Sequence, residues 1–219
     1  MRRYYNVRTM ITALISAGAT LTVAIITLIV NVCIERFRSK LEIQQKMLQS
    51  KRENLNDVYK ILISIISLYP SSSPNDIVKF VEYSLNYSME HYDAVLSSLD
   101  YQVEDYKNQL NVVNLDYERK SNIETQISNR EYVKNKISEN RDEYYIARDK
   151  YKSFCECDKV AFDLYAGQEV RNRLVKFEVV IHNVFISGQN AGQDGDPINN
   201  IIHVSRRNLI NSMRSDLGI

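Results

Sequence analysis

Apolar residues in this chain fall first into one long unbroken run and then into segments that repeat every three or four positions. From Thr9 to Ile34 there are 26 residues without a charge. About 20 apolar residues cross a bilayer core as a helix, so this run is long enough to span with some tilt or overhang. A secretory signal has a shorter apolar region and a small-residue cleavage site. Asn31-Val32-Cys33-Ile34-Glu35 is a poor site of that kind. The pattern predicts an uncleaved transmembrane helix over 9–34, after a basic N-terminal tail of residues 1–8. Tyr4 and Tyr5 suit the interfacial belt before it.

The run is not uniformly apolar. Thr9, Ala13, Ser16, Thr20, Ala24, Thr27 and Asn31 recur at spacings of three and four, while Leu14, Leu21, Ile25, Leu28 and Val32 favour the other side. Small residues let helix backbones approach, and hydroxyls bond across the interface. Ser16, Thr20, Thr27 and Asn31 are therefore candidates for a helix-association stripe or a pore lining. The competing reading has the hydroxyls bonding back to their own helix.

Beyond the run the pattern becomes a heptad. Leu41, Leu48, Leu55, Leu62 and Tyr69 lie seven apart, with Val58 and Ile65 between them and Gln44 and Lys51 in the same seam earlier. This predicts a membrane-proximal helix over 35–69. Its coiled-coil seam of Leu41, Leu48, Leu55 and Leu62 is weak at the membrane end and strong enough for a bundle at the far end. Tyr69-Pro70 ends it, and Ser71-Ser72-Ser73-Pro74 is a turn suited to capping the next helix.

Residues 74–219 read as a helical bundle domain. Between Asn75 and Ser187 there is no Pro and a single Gly, Gly167, and so few breakers argue for long helices. One helix is expected from Pro74 to about Val113. A charge-rich helix or hairpin over about 115–154 has a narrow seam of Ile123, Ile127, Val133, Ile137, Tyr144 and Tyr151. A more apolar helix follows over about 158–186, then a loop at 187–200 holding three of the six Gly, and a terminal helix over about 198–216. The fold class is all-α: an N-terminal transmembrane helix continuing into a cytoplasmic helical bundle with long, coiled-coil-like helices.

Composition narrows the function classes. The chain carries 28 Lys+Arg against 27 Asp+Glu, so it lacks the basic excess of a dedicated nucleic-acid binder. The three Arg of residues 1–34 face no acid there, which leaves 25 bases and 27 acids in the remainder. Three Cys are too few for a disulfide-stapled secreted domain and read as free thiols of a reducing compartment. Arg2, Arg3 and Arg8 on one flank nearly balance Arg36, Arg38, Lys40 and Lys46 on the other. The thiols and the short tail then favour a single-pass protein of the cell inner membrane with its C-terminal domain in the cytoplasm.

Candidate chemistry is sparse. Cys155-Glu156-Cys157-Asp158 has one residue between the thiols and no second Cys pair, unlike structural zinc sites. Asp194-Gly195-Asp196 lacks the closing Glu of a calcium loop. No phosphate loop or nucleophile elbow occurs. The expectation is a non-enzymatic protein without metal or cofactor. HEPN nucleases are marked by Arg, a polar residue, and His four to six residues on. Arg171-Asn172-Arg173 followed by His182 has too wide a gap, so the pattern is at most that of a degenerate HEPN-like RNA-binding fold.

Lys51-Arg52-Glu53-Asn54-Leu55-Asn56-Asp57-Val58-Tyr59 after a span, with Met213-Arg214-Ser215-Asp216-Leu217-Gly218 at the close, resembles uncharacterised bacterial single-pass membrane proteins with a helical cytoplasmic domain. These include small membrane effectors of antiviral systems, among them the accessory protein of some RNA-targeting CRISPR loci. The resemblance implies a homo-oligomer in membrane lipid that forms a pore or perturbs the bilayer. The alternative is a tether whose charged helices bind a cytoplasmic protein partner.

Overall fold

The computed structural model describes the backbone of residues 2–81, 87–111 and 114–219, and within those ranges the side chains of Ser16, Gly18 and everything from residue 26 onward. Among the described residues every regular element is helical. The α-helices are α1 (Arg2–Ile66), α2 (Pro74–Val78), α3 (Tyr92–Leu110), α4 (Tyr117–Cys157), α5 (Lys159–Tyr165), α6 (Gln168–Phe185) and α7 (Ile201–Leu217), and a 3-10 turn at Met89–His91 precedes α3. The chain divides into two units, Met1–Arg52 and Glu53–Ile219. The boundary falls inside the predicted 35–69 segment.

The first unit is α1 as far as Arg52, and the remainder of α1 belongs to the second unit. No helix is long and apolar enough to cross a membrane among the described residues. Most side chains of the predicted span lie outside them; those of Ser16, Gly18 and Ile26–Ile34 lie within.

The second unit is a bundle built around α4. Its buried residues are Ile123, Ile127, Arg130, Val133, Ile137, Asn140, Tyr144 and Ala147, at steps of three or four, and then Phe154 two turns on, and they trace one stripe. Three apolar clusters meet this stripe in turn. Ile123 and Ile127 pack with Val103 of α3. Val133 and Ile137 pack with Val78, Val81, Tyr87, Tyr92 and Leu99. Tyr144, Ala147 and Phe154 enter the main core with Leu55, Tyr59, Leu62 and Ile66 of α1, Phe162 of α5, Phe177 and Phe185 of α6, and Ile202 and Leu209 of α7. Arg130 stands between the first two clusters and Asn140 between the second and third.

Two predicted helices are each broken in the structure. The helix expected from Pro74 to Val113 is replaced by α2, the 3-10 turn and α3. Asn75 supplies the reason. Its Oδ1 accepts from the Tyr87 N–H at 2.6 Å, and its Nδ2 donates to the Gly188 carbonyl, so the chain after α2 is drawn back beside the start of that helix. Ser88 then takes an extended backbone that no helix can run through.

The helix expected over 158–186 breaks at Ala166-Gly167, both extended, into α5 and α6. Gly167 N–H donates to Asp216 Oδ2 at 3.0 Å, and a Cβ at position 167 would lie 2.5 Å from Asp216 Oδ1. Only glycine lets the α7 carboxylate come that close. Tyr59 of α1 donates to the same oxygen at 2.5 Å, so Asp216 ties α1, the α5–α6 joint and α7 together. Burial, reinforced by that hydrogen bond, holds the Tyr59 phenol far above its usual range. α7 ends on Gly218 in the left-handed conformation at φ 74°, which lets the Ile219 N–H reach the Arg214 carbonyl at 3.0 Å.

Candidate functional site

The heptad leucines occupy two environments. Leu55 and Leu62 are in the main core, whereas Leu41 and Leu48 are exposed, Leu48 at 60 %. Between residues 26 and 48 the exposed large apolar side chains are Ile26, Leu28, Ile29, Val30, Val32, Ile34, Phe37, Leu41, Ile43, Met47 and Leu48.

Their arrangement on the helix changes at Ile34. At about 100° per residue, those from Ile26 to Ile34 cover most of the circumference and leave a sector of about 120° to Thr27 and Asn31. Beyond Ile34 they narrow to stripes: Phe37, Leu41 and Leu48 fall within about 40° of one another, and Ile43 and Met47 form a second pair. Arg38, Glu42 and Lys46 fill the side between the two stripes, and Arg36 and Lys40 stand in or beside the line of Ile43 and Met47. Of the polar stripe, Ser16, Thr27 and Asn31 are exposed, and Thr20 lies outside the described residues.

Arg171, Asn172 and His182 all lie on α6. Eleven positions separate Arg171 from His182, a rise of about 16 Å, so the helix holds them apart. The Arg171 guanidinium donates to the Asp163 carbonyl at 3.3 Å and to Gln168 Oε1 at 3.0 Å, while Asn172 accepts from Gln168 at 2.9 Å. These contacts link the start of α6 to itself and to α5. His182 is exposed at the mouth of a different, aromatic pocket.

Around the 70–76 turn the bundle gathers its buried polar groups. Ser73 caps α2 by accepting from the Asp76 N–H at 2.9 Å, and Pro74 follows with its φ already set for a helix. Asp76 Oδ2 accepts from Ser73 Oγ at 2.7 Å, Ala191 N–H at 2.8 Å and Gly192 N–H at 3.2 Å, which fastens the 187–200 loop to the turn. Asn200 caps α7 with its Oδ1 and donates its Nδ2 to the Ser71 carbonyl at 2.9 Å. Asn140 of α4 donates to the Ser72 carbonyl at 2.8 Å, and its Oδ1 is buried without a partner among the described residues.

Arg206 of α7 donates to the Ile66 and Tyr69 carbonyls at 3.1 and 2.6 Å. It thereby neutralises the partly negative carbonyl end of α1. Burial pulls this guanidinium below its usual range.

An open cleft of about 860 Å³ borders this polar knot, with Tyr132, Lys136, Glu139 and Glu143 on one wall and Asp194 and Arg206 on another. Its charges are of both signs, and Lys136 is already paired with Glu139 at 2.7 Å. Asp76 has its acceptor oxygen committed to holding the turn and the loop. The knot therefore fastens chain segments together, and the surface with the largest unmet physical demand is the apolar face of α1.

Three buried polar residues carry much of this architecture without having been distinguished in the sequence. Arg130 donates to Gln102 Oε1 at 2.7 Å and to Gln126 Oε1 at 2.6 Å, with its guanidinium 4.6 Å from the Tyr106 ring centre. Asn140 and Asp76 are the others. Arg130 and Asn140 fill the gaps that the apolar seam of α4 leaves between Ile127 and Val133 and between Ile137 and Tyr144, so seam spacing was the signal available for them.

Cys155 is half-buried with its thiol pushed up by burial, and Cys157 is exposed. Among the described residues no group of three His, Cys, Asp or Glu is placed to hold a metal ion. No family model matches the chain, and no curated protein or solved structure matches it either.

Proposed function

We propose that this chain is a non-enzymatic, single-pass membrane protein that self-associates through α1, with its helical bundle on the cytoplasmic side. The observation that carries the reading is the change in α1 at Ile34, from a helix apolar over all but the side of Thr27 and Asn31 to one apolar along narrow stripes. A helix apolar over most of its circumference suits an apolar medium, which a bilayer provides, and its one polar side suits a like helix. A helix with a stripe needs one apolar partner, and a second copy presents the same stripe at the same height above the membrane. Contiguous exposed apolar surface on this scale marks a site of interaction.

In its most specific form, several copies turn Ser16, Thr20, Thr27 and Asn31 toward one another and form a membrane-perturbing assembly. The link to bacterial antiviral defence comes from the resemblance of the sequence to such effectors.

The test is sedimentation of the full chain in a mild detergent. The expected species is a discrete oligomer, converted toward monomer by Leu41→Gln combined with Leu48→Gln. A wild-type chain that stays monomeric at every concentration overturns the self-association. Release of the full chain from membranes by alkaline carbonate overturns the span. Replacing 9–34 by an unrelated poly-Leu helix separates the assembly from a plain tether, because a tether keeps its activity after the exchange.

A further inference from the structure

The bundle holds a second cavity, apart from the polar knot and independent of the membrane reading. It has a volume of about 340 Å³ and opens to solvent between α4, α6 and the segment that follows α1. Tyr69, Tyr144, Tyr151 and Phe177 supply half of its lining residues, and Glu178, Ile181, His182 and Ile186 supply the rest. The rings do not stack in one direction. Tyr69 meets Tyr144 at an interplanar angle of 62° with centroids 6.2 Å apart, and meets Phe177 at 75° and 5.7 Å. The pocket therefore has aromatic walls in crossed planes.

Glu178 is half-buried, and Tyr151 Oη donates to its Oε1. Among the described residues no Lys, Arg or His forms an ion pair with it. The basic side chain in the lining is His182, one turn after Glu178 on α6, and it makes no ion pair with the carboxylate among the described residues; Arg148 stands outside the lining, held by Asp149 at 3.0 Å and lying over the Tyr145 ring. Burial keeps the Tyr69 and Tyr151 phenols neutral far beyond their usual range, so the negative charge in the lining is that of Glu178.

A carboxylate without a cationic partner beside several aromatic rings is the arrangement that attracts a weakly hydrated cation. The ring faces carry negative quadrupole charge, and a methylated nitrogen spreads its positive charge over an apolar shell that suits such walls. A small inorganic cation would instead demand several oxygen ligands, and this pocket offers few.

We infer that the pocket formed by Tyr69, Tyr144, Tyr151, Phe177 and Glu178 is a binding site for a small methylated ammonium group. The group sits against the rings, with its charge balanced by the free side of the Glu178 carboxylate. Such a group is carried both by free solutes and by lipid headgroups of the choline type.

The full chain in a maltoside detergent, which carries no ammonium, is titrated calorimetrically with choline chloride. Saturable binding at one site per chain is expected. The neutral alcohol 3,3-dimethylbutan-1-ol, with carbon in place of the charged nitrogen, should bind roughly tenfold more weakly or worse. Glu178→Gln should weaken choline binding to a similar degree, whereas Tyr151→Phe leaves the ring in place, releases the carboxylate and should retain or strengthen it.

Displacement of choline by glycerophosphocholine assigns the site to a lipid headgroup, and failure to displace assigns it to a free ammonium solute. Absence of choline binding, or equal affinity for choline and its neutral isostere, overturns the inference. That isostere comparison uses the wild-type chain, so it decides the matter even if the Glu178 variant does not fold.

Discussion

The two ends of α1's heptad carry the same residue type at the same spacing and meet opposite fates. Leu55 and Leu62 are enclosed by α4, α6 and α7, while Leu41 and Leu48 face outward. The flanking positions account for the difference. Val58 and Ile65 complete a wide apolar face in the later half, and Tyr59 and Ile66 extend it; Gln44 and Lys51 interrupt the earlier half. A heptad specifies a seam but not what closes it. In the later half the chain supplies its own cover, and in the earlier half the proposed cover is a second copy.

The largest effect should come from the enclosed half. Leu62→Ala removes a fully buried side chain and should cost about 2–5 kcal/mol of bundle stability, measured by chemical denaturation. A loss below about 1 kcal/mol would show that this half is not a core element.

Arg206→Met tests how the enclosed half is terminated. It removes a charged donor from the Ile66 and Tyr69 carbonyls and should cost about 2 kcal/mol in the same assay. An unchanged denaturation midpoint would mean water satisfies those carbonyls equally well.

The third test uses pH. The Tyr59 phenol is held above its usual value in the folded state, so folding favours its protonated form. That contribution is complete below the unfolded value of about 10 and is lost as pH rises beyond it. Bundle stability should therefore fall above about pH 10, and Tyr59→Phe should lessen the slope. A slope identical in wild type and variant removes Tyr59 from the account.

The smallest effect on folding should come from the outward half. Leu48→Ala should change bundle stability by less than about 0.5 kcal/mol while shifting the oligomer distribution toward smaller species. Equal losses of stability from Leu48→Ala and Leu62→Ala would erase the distinction between the two halves.

The all-helical character was legible in the sequence because the scarcity of Gly and Pro leaves little but helix between residues 75 and 187. The extent of α4 was legible too, since Ile123, Ile127, Val133, Ile137 and Tyr144 keep step over many turns. The breaks were not. Nothing local forbids helix across Ala166, and the interruption depends on Asp216, some fifty positions later, drawing in the Gly167 N–H. The end of α2 likewise depends on Asn75 reaching Tyr87 and Gly188. Long-range hydrogen bonds of this kind override local preference and leave no periodic trace. The aromatic pocket was hidden for the same reason, because Tyr69, Tyr144, Tyr151 and Phe177 come from three separate segments whose meeting is a property of the packed bundle. Arg130 shows the opposite case: it sits where the seam spacing calls for a buried residue, and its charge alone hides that place in the sequence.

The placement of Arg130 and Asn140 divides α4 into stretches of unequal mechanical fate. Its outer stretch rests on a small apolar group from α3, and its inner stretch on the main core. Opening the outer stretch exposes little and leaves the inner core sealed, so amide hydrogens near Ile123 should exchange with solvent sooner than those near Phe154. The hairpin of α3 and α4 should then open from its far end inward while the core remains closed.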